Sequence, residues 1–203
     1  MRIVFLLIVS IVFFTGCESV DTPGSTQNIR ISFAESVADS PKDGRLLLMS
    51  SNDTSAEPRF QIGAGLNTQL IFGMNVEGMQ PGTATAFDSE ALGFPYETLS
   101  EVPPGEYQVQ ALLHTYETFN LSTGHTVKLP MDNGEGQQWN RSPGNLYSKP
   151  ISVTVKENGI TGLELVMDQI IPPIPEPDDT PWIKHVKIRS ERLSEFWGRD
   201  MYL

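Results

Sequence analysis

The chain has 203 residues, 39% of them hydrophobic, with 14 Lys and Arg against 25 Asp and Glu and a formal net charge of −11. That length suits one sizeable domain with appendages, and the apolar residues fall in short runs between turn formers, which argues against a disordered polyelectrolyte. The acidic balance repels phosphate backbones and argues against nucleic acid as a partner.

The chain opens on MRIVFLLIVSIVFFTG, with Arg2, an apolar stretch over 3–14 and two small residues before Cys17, the only cysteine. The apolar stretch is short for a membrane-spanning helix and has the length of a signal-peptide core. With one cysteine, no internal disulfide forms. FTGC resembles the bacterial lipobox, in which residues 1–16 are removed and Cys17 becomes the lipid-carrying amino terminus. Phe14 departs from the usual Leu of that motif, and it suits an ordinary signal peptidase still less. The expected location is the cell envelope, reached through acyl chains on Cys17. Each buried methylene would contribute about 0.8 kcal/mol to the anchor. Residues 17–28, ESVDTPGSTQN after the cysteine, are polar and rich in turn formers and read as a flexible tether.

Strand signals fill 29–169. IRISFAES sets Ile29, Ile31 and Phe33 on one face with the period of two that marks a half-buried strand. RLLLMSS, TQLIFGMNV, TATAFD, GEYQVQALLHTYE, HTVKL, KPISVTVKE and TGLELVMDQ follow, most of them separated by Gly, Pro, Asn or Asp. ENGI, residues 157–160, carries the Asn-Gly signature of a tight hairpin. About eight short strands without a long amphipathic helix predict a mainly β fold, a β-sandwich rather than alternating α/β. In VPPGEYQVQALL a Pro103-Pro104-Gly105 turn precedes Tyr107, Val109 and Ala111 on one face. This resembles the tyrosine corner of immunoglobulin-like and fibronectin-like domains, with the ring buried and the hydroxyl bonded back to the turn.

Residues 170–181 are proline-rich and read as an extended linker, because proline withholds backbone donors from a sheet. Residues 182–203 form a C-terminal extension that alternates like a strand through Val186 and Ile188. It then sets Leu193, Phe196 and Trp197 at helical spacing. A segment of that size cannot bury a core of its own.

The chemistry-bearing residues do not assemble into a motif. No G-x-S-x-G is present to expose a nucleophilic serine. There is no phosphate-cradling glycine loop and no Cys–His cluster. The residues therefore describe no complete enzyme, no metal site and no cofactor. His114 and His125 are placed to face each other across a hairpin, but a third metal ligand is missing at any recognisable spacing. The long polar stretch MDNGEGQQWNRSPGNLYS, residues 131–148, leaves three readings open. It is a loop folded back over its own sheet and pinned by Trp139 and Tyr147. Alternatively it is a docking surface for another domain, through Trp139, Asn140, Arg141 and Tyr147. As a third reading it is a ligand site, with Trp139 and Tyr147 stacking on a sugar or Asp132, Asn133 and Glu135 offering oxygens to calcium, although the EF-hand order is absent.

Taken together, VPPGEYQVQALLHTYETF, GQQWNRSPGNLYS and LSEFWGRDMYL resemble the N-terminal part of secreted bacterial esterase-like proteins. In that group an immunoglobulin-like β domain precedes an α/β-hydrolase domain related to enterochelin esterases. The resemblance covers most of 29–203. It implies hydrolase activity for a full-length relative, with Ser, His and Asp on the downstream domain; none of those positions occurs here, so no catalytic residue carries over. The expected function is that of a non-catalytic accessory module of a lipid-anchored esterase-like protein. It positions or covers a hydrolase domain, downstream or on a separate chain, with 182–203 as the start of that missing domain. The alternative is a free-standing envelope module that binds a glycan through Trp139 and Tyr147.

Overall fold

A computed structural model describes residues 28–65, 67–87 and 91–203. The signal segment, Cys17 and the tether before Asn28 lie outside the described residues.

Alternation of apolar and polar residues produces strands wherever it is sustained. In chain order these are β1 (Ile29–Phe33), β2 (Lys42–Ser51), β3 (Leu70–Met79), β4 (Thr85–Phe87), β5 (Leu92–Phe94) and β6 (Gly105–Asn120). They continue as β7 (Thr126–Leu129), β8 (Leu146–Tyr147), β9 (Ile151–Val155), β10 (Glu164–Met167) and β11 (Gln169–Ile170), and one helix, α1 (Glu191–Trp197), follows. The strands form two sheets. The smaller has the order β10-β1-β4, with β10 parallel and β4 antiparallel to β1. The larger runs β11-β8-β6-β2-β3-β5, with β7 and β9 also paired to β6.

The 16-residue β6 is the spine of the molecule. Its residues 108–116 pair with β2, while β9, β8 and β7 pair in turn with its start, middle and end. Ile29, Ile31 and Phe33 from the small sheet are buried against Leu46 and Leu48 of β2 and Tyr107, Val109, Ala111 and Leu113 of β6. The expected period-two face is thus the one that meets the other sheet. Full burial of each large apolar side chain contributes roughly 1.5–3 kcal/mol. This is a mainly β, two-sheet arrangement of the kind a β-sandwich requires.

Four local expectations are corrected. Lys156 and Gly159 bridge around the ENGI turn, but the strands on either side, β9 and β10, belong to different sheets. The turn is therefore a corner between layers rather than a hairpin. Its Gly159 is left-handed (φ 76°), and a side chain there would strike the Leu99 carbonyl. Tyr107 is 9% exposed, as a tyrosine corner demands, yet its hydroxyl finds no hydrogen-bond partner among the described residues. The sheet continues to Ile170, and Ile171 is buried with backbone bonds to Asn145 and Gly144, so the extended spacer starts at Pro172. Finally, 182–187 is not a strand. The pairing occurs later, where Ile188 exchanges two backbone bonds with Leu203 and the Ser190 N–H donates to the Met201 carbonyl.

Ser50 shares the inward face of β2 with Leu46 and Leu48, is fully buried, and its hydroxyl has no partner among the described residues. An unsatisfied buried hydroxyl costs about 1–3 kcal/mol. Ser50→Ala is therefore expected to leave stability unchanged or to raise it by about 1 kcal/mol, read as the midpoint of urea unfolding. A marked loss would mean that the hydroxyl is bonded in solution.

The strand directions separate the two ends of the domain. The Arg30 N–H, at the start of β1, donates to the Leu163 carbonyl, and nearby Ile160 donates to Leu99. Val155, at the end of β9, pairs with Gly105. β1 thus begins at the end of the domain where β6 begins. The opposite end is the β6–β7 hairpin.

Candidate functional site

Leu47, Met49 and Leu112 point away from the inter-sheet core and form a second apolar cluster with Ile171 on the outer face of the large sheet. A solvated face cannot carry such a cluster bare, and Ile62, Ile71, Trp139 and Tyr147 pack over it. Of the three readings open for 131–148, the arrangement matches a loop folded back over its own sheet and held there by its aromatics.

The fastening is Arg59, which is only 8% exposed. Its guanidinium lies 4.1 Å from the centroid of the Tyr147 ring and 4.4 Å from that of Phe60. It pairs with Glu57 at 2.8 Å and donates to the Asn140 carbonyl at 3.1 Å, and the Asn140 amide donates back to the Arg59 carbonyl at 3.1 Å. Beneath it Gln110, fully buried, accepts from the Arg59 N–H and donates to Glu57 and to the Ser148 carbonyl. Burial pushes the Glu57 carboxyl upward, but the hydrogen bonds from Gln110 and Arg59 and the nearby guanidinium charge outweigh it. The group is left below the ordinary carboxylate value. Asn145, also buried, ties the loop to β6 by donating to the Trp139 carbonyl at 2.7 Å and accepting from the Thr115 N–H at 3.0 Å.

The structure therefore brings Trp139, Asn140 and Tyr147 together, with Arg141 exposed at the rim and 5.6 Å from the Phe60 ring. The guanidinium of Arg59 covers a face of Tyr147, and that face is closed to a sugar ring. Glu57, Arg59 and Gln110 were not legible as site residues, because nothing in EPRF or YQVQA distinguishes them from ordinary surface positions.

The remaining candidates do not converge. His125 lies opposite Leu121 across the β6–β7 turn, whereas His114 sits seven residues further back on the chain, roughly 20 Å of extended strand away. The two do not face each other. His114 instead meets Tyr116 edge-on at 5.5 Å, and burial pulls its imidazole below the usual value. Asp132 turns its carboxylate onto the N–H groups of Gly134 and Gly136, and Glu135 accepts from the Asn133 N–H, so these oxygens close the loop on itself. Among the described residues no three His, Cys, Asp or Glu side chains gather as a metal site.

At the hairpin end, 188–203 folds into a small lobe. Ser190 caps α1 by accepting from the Leu193 N–H, and Gly198 ends it in the left-handed region at φ 67°. The lobe rests on the hairpin. The Ser122 N–H donates to the Phe196 carbonyl, Trp197 meets Phe119 edge-on at 5.3 Å, and Arg199 pairs with Glu117. Gly198 packs so close to the Asn120 carbonyl that a side chain there would collide with it. An apolar cavity of about 360 Å³, lined by Phe119, Leu129, Trp197 and Met201 among others, remains between lobe and hairpin. Outward, the segment leaves Trp182 93% and Leu203 73% exposed, with Ile183, Val186, Ile188 and Tyr202 also open to solvent. Comparison with protein-family profiles, curated proteins and solved structures finds no match to this chain.

Proposed function

We propose that this chain is a non-catalytic accessory module with an immunoglobulin-like sandwich, anchored in the cell envelope by lipid on Cys17, which holds a hydrolase domain away from the membrane. The observation that carries this reading is the separation of the two ends. The tether joins beside the start of β6, while the lobe, with Ile188, Tyr202 and Leu203 uncovered, sits at the end of β6. Sixteen residues of strand span about 50 Å at 3.3 Å per residue. An anchor at one end and a sticky surface at the other suit a spacer. Apolar side chains as open as Trp182 and Leu203 favour contact with another protein surface.

The reading is tested by placing a photo-crosslinking residue at Trp182 in the full-length chain in its native cells. The expected product is a conjugate with a polypeptide that hydrolyses esters, retained with membranes only while Cys17 is intact. Conjugates with lipid alone, or ester turnover by the purified chain itself, would overturn it. The lobe is held by few contacts and is reached through an exposed spacer. Deleting 182–203 is therefore expected to change the melting temperature by only a few degrees, which a thermal scan by circular dichroism would show.

A further inference from the structure

The apolar cavity of about 360 Å³ at the hairpin end has walls that neither the domain nor the lobe supplies alone. Phe119, Leu129, Pro130 and Met131 come from the β6–β7 hairpin and the chain that leaves it, and Trp197 and Met201 come from the lobe. Packed interiors hold few voids larger than a water molecule, and this volume falls in the usual span of small-molecule sites, about 300–1,000 Å³. Phe119 is only 3% exposed, while Pro130, Met131, Trp197 and Met201 are half-buried, so most of the wall is already withdrawn from water.

The lining selects the chemistry of a ligand. Its polar members, Asp132 and Gln137, are both exposed, and the Asp132 carboxylate already accepts from the Gly134 and Gly136 N–H groups. Donors and acceptors on a ligand would lose water there and gain little in exchange. An anion meets Asp132 and a chain of net charge −11. A cation would compete for the Phe119 ring with Arg199, whose guanidinium stands 5.4 Å from the ring centroid and is paired with Glu117. Among neutral molecules an aromatic ring gains most. Phe119 and Trp197, edge-on at 5.3 Å, offer it further edge-to-face contacts, and the Met131 and Met201 thioethers pack well at ring edges. The geometry points to a binding site for a small neutral aromatic molecule, complete only while the lobe is seated on the hairpin. Occupation therefore holds the lobe down by mass action. This goes beyond the spacer role and does not depend on it.

The test is a titration of the full ¹⁵N-labelled chain with 1-methylindole, beside its charged relatives indole-3-acetate and tryptamine. Saturable amide shifts at Phe119, Met131, Trp197 and Met201 are expected with the neutral probe, and weaker binding with both charged ones. Leu129, 41% exposed at the end of β7, tolerates a polar side chain, and Leu129→Glu should weaken binding about ten-fold or more by setting a carboxylate in the wall. Met131→Glu makes the same test from outside the strand, and Trp182→Ala should leave binding unchanged. The Ser122 N–H, which donates to the Phe196 carbonyl across the junction, reports on the lobe. Its hydrogen exchange should slow about two-fold when free probe equals its Kd. The proposal is overturned if 1-methylindole gives no saturable shifts, if the shifts centre on Trp182, or if either charged relative binds as tightly. It also fails if neither glutamate variant weakens binding, or if exchange at Ser122 is unmoved by bound probe.

Discussion

Tyr107→Ala is expected to lower the unfolding free energy by about 3–5 kcal/mol, as for other large aromatic truncations in a packed core. The ring sits in the inter-sheet cluster with Val109, Ala111, Val155 and Leu165, all of them buried, so the space it vacates has nothing to collapse into it. Tyr107→Phe should behave quite differently. Because the hydroxyl makes no hydrogen bond among the described residues, its removal is expected to cost under about 0.5 kcal/mol at neutral pH. Burial, with a lesser contribution from Tyr96, raises the phenol above its ordinary value of 10.0. The unfolded chain therefore ionises this group first, and stability present below that value falls as the pH rises through it. Urea titrations at neutral pH and above pH 10 should show the parent losing stability at the alkaline end that the Phe variant keeps. A neutral-pH loss near 1 kcal/mol for Tyr107→Phe would restore the hydroxyl-to-turn bond of a full tyrosine corner.

Arg59→Ala is expected to cost about 2–3 kcal/mol, the range for a hydrogen-bonded charge whose partners are left behind. The substitution leaves the Asn140 carbonyl without its charged donor and the Glu57 carboxylate without its counter-ion, and it uncovers the Tyr147 and Phe60 rings. The more telling readout is local. Limited proteolysis should cut 131–148 much faster in the variant, because the loop has lost its clamp onto the large sheet. Arg59→Lys should rescue only part of the loss, since an ammonium cannot lie flat between two rings while pairing with a carboxylate. Unchanged cleavage of the loop would mean that Trp139 and Asn145 suffice to hold it.

The long strands were legible because their signal is periodic. Ile29, Ile31 and Phe33, and Tyr107, Val109 and Ala111, alternate over enough residues to fix which side is buried, and that side is the one that packs. β5 and β8 left no such trace. Strands of three and two residues have no period to detect, and they exist because β3 and β6 offer them open edges. The alternation in 182–188 was real but insufficient, since a strand needs a neighbour and only 188–190 finds one, in 201–203. The loop's attachment was half legible. Trp139 and Tyr147 marked it as something other than solvent-exposed coil, but its clamp joins Glu57, Arg59 and Gln110 from distant parts of the chain, and no local pattern announces such a meeting.

The spacer from Pro172 to Pro181 has a consequence of a different kind. Together with 182–187, which lead on to the lobe, it makes a sixteen-residue leash that reaches at most about 50 Å at 3.1 Å per residue. It confines the lobe to a small volume around the hairpin, which corresponds to a local concentration in the millimolar range. An ion pair, a backbone bond, an aromatic edge contact and a guanidinium over the Phe119 ring would hold two separate molecules together only weakly, yet at that concentration they keep the lobe seated for much of the time. Any partner arriving at the hairpin competes with an occupant that never diffuses away but is easily lifted. The lobe is then released to sweep a radius of up to about 50 Å, the reach of the sixteen residues between Ile171 and the lobe.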